Sequence, residues 1–209
     1  MVARTKQKQR GRISRNRKKM ILIGAEGKNE TELTYFKAFN RKQKTFTVKA
    51  AKGNSTDPKG IVEDTANSVK REELDFEEGD LAFCLFDADT DISKQNQIDA
   101  AVRMATKNHI EVLLSVPCFE IWFLQHFESS TAELSSDGAI TRLSRYIPTY
   151  GKSMDVFSDL EPFMEEAIER AKRLEKHHDS LGRHEKSMER NPSTEAYRLV
   201  EKLKKEIDN

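Results

Sequence analysis

Cysteine is nearly missing from this chain. Its two copies, Cys84 and Cys118, lie inside apolar segments, no CxxC pair occurs, and no His/Cys cluster has metal-ligand spacing. These features exclude a disulfide framework and a structural zinc site, and both thiols read as small core residues of a cytosolic protein. Long apolar runs are missing as well. Nothing approaches the ~20 residues that cross a bilayer, and the N-terminus has no apolar stretch of the kind a secretory signal carries. The expectation is a cytoplasmic protein with no membrane partner. There is no internal repeat. One further absence is local: between Leu81 and Ser93 there is no lysine or arginine, although three aspartates crowd that stretch.

Charge is plentiful. Asp, Glu, Lys and Arg make up 34% of the 209 residues and mean hydropathy is −0.74, which gives a core of ordinary size under a highly charged surface. The net charge of +1 conceals an asymmetry. Nine of the 36 bases fall in residues 1–19 with no acid among them, leaving 27 bases against 35 acids, or −8, for the rest. A basic arm on an acidic body is a footprint for polyanion contact, made through Arg10, Arg12, Arg15, Arg17, Lys18 and Lys19. A solubilising disordered tail is the plainer alternative.

Periodicity places the elements. Residues 20–25 form a compact apolar strand. Residues 30–41 repeat at helical spacing, with Leu33, Phe36, Ala38 and Phe39 inward and Glu30 and Glu32 at the dipole-favoured start. Residues 45–50 alternate as a half-buried strand, residues 52–60 carry turn signals throughout, and residues 61–74 form an amphipathic helix. The strand 81–86 follows, then a helix over 94–107 and a strand over 110–116. This β-α-β-α-β-α-β order predicts an α/β fold with a mostly parallel sheet flanked by helices. Pro117 suits the first position of a buried helix running to Phe127. Beyond a polar loop at 128–138, helices are expected over 139–146 and 162–176. His177, His178, Arg183 and His184 are read as facing water. Asn191 and Pro192 are read as the cap and first turn of a last helix whose apolar side is Tyr197, Leu199, Val200 and Leu203. The organisation read from this is an arm (1–19), an α/β core (20–127) and a helical extension packed on it (128–209).

The candidate chemistry sits at two strand ends. Six apolar residues, Leu81 to Phe86, stop abruptly at Asp87-Ala88-Asp89-Thr90-Asp91, and an extended backbone would point the three aspartates to one side. Two carboxylates about 5 Å apart at an effective dielectric near 20 repel by roughly 3 kcal/mol. Water, a proton, a distant base or a divalent cation must relieve that repulsion, and Mg²⁺ (or Mn²⁺) suits hard oxygen donors. A solvated acidic loop, with Asp91 capping the next helix, is the plainer alternative. The first strand likewise runs into Glu26, followed by Gly27 and Lys28. In open α/β sheets ligands gather beyond the carboxyl ends of strands. Glu26, Asp87 and Asp89, with Asp91, are therefore the candidate metal ligands. Glu26 could instead act as a general base, and Lys28 could stabilise charge on a phosphate. Glu120, a carboxylate on an apolar helix, is either salt-bridged or part of the site; His126 reads as a core histidine.

These residues carry a resemblance. Glu26-Gly27 after the first strand and Asp87-x-Asp89-x-Asp91 after a later one resemble the Toprim domain of topoisomerases, primases and overcoming-lysogenisation-defect-type nucleases. A wider set resembles the RloB-like family over nearly all of residues 20–205. It comprises Glu26-Gly27-Lys28-Asn29-Glu30 with Tyr35-Phe36, Phe86-Asp87-Ala88-Asp89, Pro117-Cys118-Phe119-Glu120-Ile121-Trp122 with His126-Phe127, and Asn191-Pro192-Ser193-Thr194. The resemblance implies a Toprim-like core, a prokaryotic host, association with phage-defence loci, and a partner ATPase of the RloA type. By analogy with other Toprim proteins it implies a Mg²⁺-dependent nuclease acting on DNA or RNA in abortive infection. Two other readings stand beside it: a non-catalytic nucleic-acid- or effector-binding subunit of an ATPase-associated complex, and a phosphatase of the haloacid dehalogenase type with Asp87 as nucleophile.

Overall fold

The computed structural model describes residues 17–26, 31–88 and 94–208. The basic residues Arg10, Arg12 and Arg15, the loop residue Lys28, and the aspartates Asp89 and Asp91 lie outside the described residues.

The first strand, β1 (Lys19–Gly24), pairs in parallel with both β2 (Phe46–Ala50) and β3 (Leu81–Asp87), and β3 pairs in parallel with β4 (Glu111–Val116). A short fifth strand, β5 (Ser193–Thr194), adds antiparallel to β4, so the sheet order is β2-β1-β3-β4-β5. The expected α/β class with a mostly parallel sheet is what the chain adopts. The helices are α1 (Thr31–Ala38), α2 (Pro58–Arg71), α3 (Gln95–Lys107), α4 (Glu120–Gln125), α5 (Ser136–Leu143), α6 (Phe157–Leu160), α7 (Met164–Ser180) and α8 (Ala196–Asp208).

Strand alternation divides the core in two. On β3, Phe83 and Leu85 join Ile21, Ile23, Phe46, Val48 and Leu113 under α1 and the extension's helices, whereas Ala82, Cys84 and Phe86 join Leu22, Val112 and Leu114 under α2 and α3. Successive side chains point to opposite faces, so Asp87 continues the side of Phe83 and Leu85. That side faces α1 and α4.

Several boundaries differ from expectation. The residues after Thr31 pack by Glu32, Tyr35, Phe36 and Phe39, while Leu33 is only partly buried. Helix α2 starts at Pro58, earlier than the turn signals suggested, because the Asp57 side chain accepts the Gly60 N–H at 3.0 Å and caps it. Pro117 does not start a helix, since it follows a cis peptide bond and α4 begins at Glu120. Asn191 is not a helix cap. Its amide exchanges hydrogen bonds with the Leu134 backbone at 3.1 and 2.8 Å, and the next residues form β5. Helix α7 extends through His177 and His178, and His178 does not face water: it is fully buried, with Nε2 2.8 Å from the Pro192 carbonyl.

β1 ends where α2 crosses it most closely. A Cβ at Gly24 would overlap the Thr65 hydroxyl and lie 3.2 Å from Thr65 Cβ and 3.4 Å from Cys84 Sγ. That hydroxyl already donates to the Ile61 carbonyl at 2.7 Å. Gly24→Ala is expected to cost about 1–3 kcal/mol through overpacking, read as a lower urea midpoint with an unchanged m-value; an unaltered midpoint would contradict the close approach.

Candidate functional site

The site begins with topology. After β1 the chain turns to α1 on one face of the sheet; after β3 it turns to α3 on the other. β1 and β3 are neighbours in parallel register, with Gly24 opposite Cys84. Such a reversal opens a crevice beyond the strands' carboxyl ends. Glu26 follows β1 by two residues and Asp87 is the last residue of β3, so adjoining strands, about 4.8 Å apart, deliver one carboxylate each. Both are half-buried. Asp87 stands in register with Ser115 of β4, whose hydroxyl is 3.0 Å from that of Thr194.

Behind this open edge lies a second, buried acidic layer. Glu32, in the first turn of α1, is 3% exposed, and Glu120, the first residue of α4, is 2% exposed. The Glu120 Oε1 accepts a hydrogen bond from the Tyr150 hydroxyl at 2.9 Å. The Glu32 Oε2 has no hydrogen-bond partner among the described residues. Burial pushes the Glu32 carboxyl up to about 7; the negative charges of Glu120 and Glu26 push the same way, against its own backbone N–H and the Lys152 ammonium. Burial also raises the Cys118 thiol, with Glu120 and Asp87 adding to it. These influences tie Glu26, Glu32, Asp87 and Glu120 into one acidic neighbourhood, with Lys152 at its border.

The wall behind it is aromatic. Tyr35 meets Phe36, Phe39, Phe119, Trp122, Phe123 and Phe157 with ring centroids 5.1–6.3 Å apart. Such packing fixes α1 against α4 and holds their first turns beside each other. His126 belongs to this wall and not to the acidic edge. It is 1% exposed, its Nδ1 donates to the Trp122 carbonyl at 3.0 Å, and burial lowers it to about 4.

The donors at the edge are hard oxygens, which is the chemistry Mg²⁺ or Mn²⁺ takes. Among the described residues no three metal-ligating side chains converge, so Glu26 and Asp87 fit in kind and a full set would draw on Asp89 or Asp91. The sheet edge gathers Glu26, Asp87 and Glu120 as candidate residues, and adds Glu32, Tyr150 and Lys152, which sequence reasoning passed over. The signal for Glu32 was present: it precedes Tyr35, Phe36 and Phe39 by three, four and seven residues, which sets it on their helix face. The arm's described residues are elsewhere. Arg17 pairs with the buried Asp80, and Lys19 pairs with Glu206 at 2.6 Å, both at the sheet's opposite, amino-terminal edge; Lys18, between them, is exposed.

In the folded state Glu32 keeps its proton up to about pH 7, against 4.5 for an ordinary carboxyl. The folded chain therefore binds more protons between those values, and stability falls as pH rises through that window. Glu32→Gln, neutral at every pH, should raise stability by up to about 3 kcal/mol at pH 8 in chelator-containing buffer and by much less at pH 5. Chemical denaturation at the two pH values checks this; an equal effect at both would contradict it.

Among the described residues no helix is long and apolar enough to cross a membrane. No curated protein and no solved structure matches the chain. A family model does: the description RloB-like protein covers residues 21–203, from the third residue of β1 to the middle of α8. That span includes every residue gathered at the acidic edge, and the chain belongs to the RloB-like protein family.

Proposed function

We propose that this protein is a Mg²⁺-dependent nuclease of the Toprim-like type, hydrolysing phosphodiester bonds of DNA or RNA in anti-phage abortive infection, with an RloA-type ATPase as partner. The observation that carries the reading is the pair of carboxylates, Glu26 and Asp87, leaving adjacent parallel strands where the sheet's connections reverse. Glu26 and Asp87, with Asp89 and Asp91 from the following segment, would hold the ion. When bound, the ion polarises a phosphoryl oxygen and lowers the pKa of a water molecule. The chain's own residues do the rest. Glu26, half-buried at the edge, takes the proton of the attacking water if it is not itself a ligand. Tyr150 fixes the orientation of Glu120 through its 2.9 Å hydrogen bond, and Glu120 lines the buried side of the site. Lys28 neutralises the phosphate from the loop after β1.

The test is a cleavage panel of DNA, messenger RNA and transfer RNA in Mg²⁺ or Mn²⁺, with and without the co-encoded ATPase. Glu26→Ala and Asp87→Ala are each expected to lower the metal-dependent rate by more than ~100-fold, beyond the loss typical of an outer-shell partner, with the thermal transition preserved. Unimpaired cleavage by both variants sinks the nuclease reading. Salt-sensitive binding without turnover by the wild type would favour the non-catalytic subunit, and a phosphoryl adduct on Asp87 the phosphatase.

A further inference from the structure

The acidic edge poses an electrostatic problem for any phosphodiester. Glu26 and Asp87 stand at the edge with Glu120 buried behind them, and a polyanion entering there is repelled unless positive charge answers these carboxylates. The helical extension supplies such a charge. After α5 the chain runs back across the top of α1 and α4 and is tied down twice. On one side of Lys152, the Tyr150 hydroxyl donates to Glu120 Oε1 at 2.9 Å, and its ring meets Phe123 edge-on at 6.0 Å. On the other, the Ser153 N–H donates to the Thr31 hydroxyl at 3.0 Å. Between these anchors the backbone makes a tight turn: the Met154 N–H reaches the Gly151 carbonyl at 3.1 Å, and Ser153 adopts a left-handed φ of 68°. A serine is held in that left-handed conformation at a cost, and such strained residues cluster at functional sites.

The residue before that serine is Lys152. Its anchors are the first turns of α1 and α4, the same turns that carry Glu32 and Glu120, and its ammonium acts on the Glu32 carboxyl. Lys152 is nevertheless exposed, whereas Glu32 and Glu120 are buried. An exposed, long-stemmed ammonium held at the rim of a buried acidic pair is placed to meet solvent-borne anions as well as to offset the acids beneath it. We propose that Lys152 is a phosphate-binding residue of this site, delivered by the C-terminal extension and directed at the scissile phosphodiester lying across Glu26 and Asp87. This assignment rests on the nuclease reading for its catalytic consequence, while the phosphate contact is measurable without turnover. The chemistry asked of Lys152 is a charge-assisted hydrogen bond to a non-bridging oxygen, with no proton or bond exchanged.

The test uses the full chain and a fluorescein-labelled 20-nucleotide single strand, as DNA and as RNA, with Ca²⁺ in place of Mg²⁺ to hold turnover off. Affinity is measured by anisotropy from low to moderate salt for the wild type, Lys152→Met, Lys152→Arg and a control, Lys59→Met, whose exposed lysine lies on α2. Lys152→Met should reduce the magnitude of the slope of log affinity against log salt by about 0.7, the share of one single-strand phosphate contact, and leave the thermal transition in place. Lys152→Arg should keep the slope, and Lys59→Met should leave it unchanged. In Mg²⁺, Lys152→Met should slow cleavage by ~100-fold or more, as loss of one transition-state donor does. A wild-type slope and rate in Lys152→Met overturns the proposal, as does a wild type that binds neither strand. A Lys152-dependent slope in a protein that cleaves nothing keeps the phosphate contact and removes the nuclease reading instead.

Discussion

The parallel pairing of β1 with β3 is the constraint from which the rest of this structure follows. Because the two strands point the same way, both must be left at the same edge. α1 follows β1 over one face and α3 follows β3 over the other, and a reversal of this kind opens a crevice beyond the two strands' ends. Gly24 lets α2 press against β1 without splaying it from β3. Alternation then sends the last side chain of β3, Asp87, to the face shared by α1 and α4. The register continues across β4 to β5, where the paired Ser115 and Thr194 sit beside Asp87. The segment 193–195 seals this flank: the Glu195 N–H reaches the Leu114 carbonyl at 3.0 Å, and the Glu195 carboxylate accepts the Leu114 N–H at 2.8 Å and pairs with Lys186.

Burial of Glu32 and Glu120 is the second constraint, and it runs against stability. A carboxyl removed from water must find a hydrogen bond, a counter-charge, a proton or an ion. Glu120 has the Tyr150 hydroxyl. Glu32 leaves Oε2 without a partner among the described residues and holds its proton to near neutrality, with Lys152 moderating the effect. A fold under selection for stability alone would place an apolar side chain on that face of α1, where Tyr35, Phe36 and Phe39 already pack. A buried carboxyl with a raised pKa is what the proposed site would require of Glu32. The aromatic wall packs α1 against α4 beside both buried acids.

The parts legible in the sequence were those governed by short-range pattern. Six apolar residues running into Asp87, a compact run ending near Glu26, and helical spacing over 94–107 determine the sheet's parallel members and the edge where the acids emerge. Long-range pairing was not legible. β5 is two hydroxyl residues with no apolar signature, a strand only because β4 presents an open side to it. Pro117 looked like a helix start because a proline before an apolar run fits a first helical position, yet α4 begins three residues later at Glu120. His178 looked solvated because it stands in a charged run, yet it continues the buried series Met164, Ala167, Ile168, Ala171 and Leu174 at helical spacing. Glu32 was hidden by its neighbours, since a helix-dipole role explained it well enough that its place on the Tyr35 face passed unexamined. Lys152 carries no local signal at all. Its position is created by two hydrogen bonds to residues 30 and 122 positions away, Glu120 and Thr31.

The point where the basic arm joins the body and the acidic edge are at opposite ends of the parallel strands, and this separation bears on how a polyanion would be handled. Outside residues 1–19 the body carries a net charge of −8, so at long range it repels nucleic acid, and at low salt the repulsion extends further. The arm joins the body at β1's amino-terminal edge, where Arg17 and Lys19 are already engaged by Asp80 and Glu206 and have less charge to offer. Both pairs stand a strand's length, about 20 Å, from Glu26 and Asp87. Arm contacts would raise affinity for any phosphate backbone alike, and they cannot orient a particular phosphodiester at the carboxylates. Orientation would have to come from a cation near the carboxylates, the part proposed above for Lys152 on the extension. This is the physical reason a compact α/β sheet would carry the additional segment between α5 and α6: the parallel strands supply acids at their carboxyl ends, and a base that must sit opposite them has to arrive from a different part of the chain.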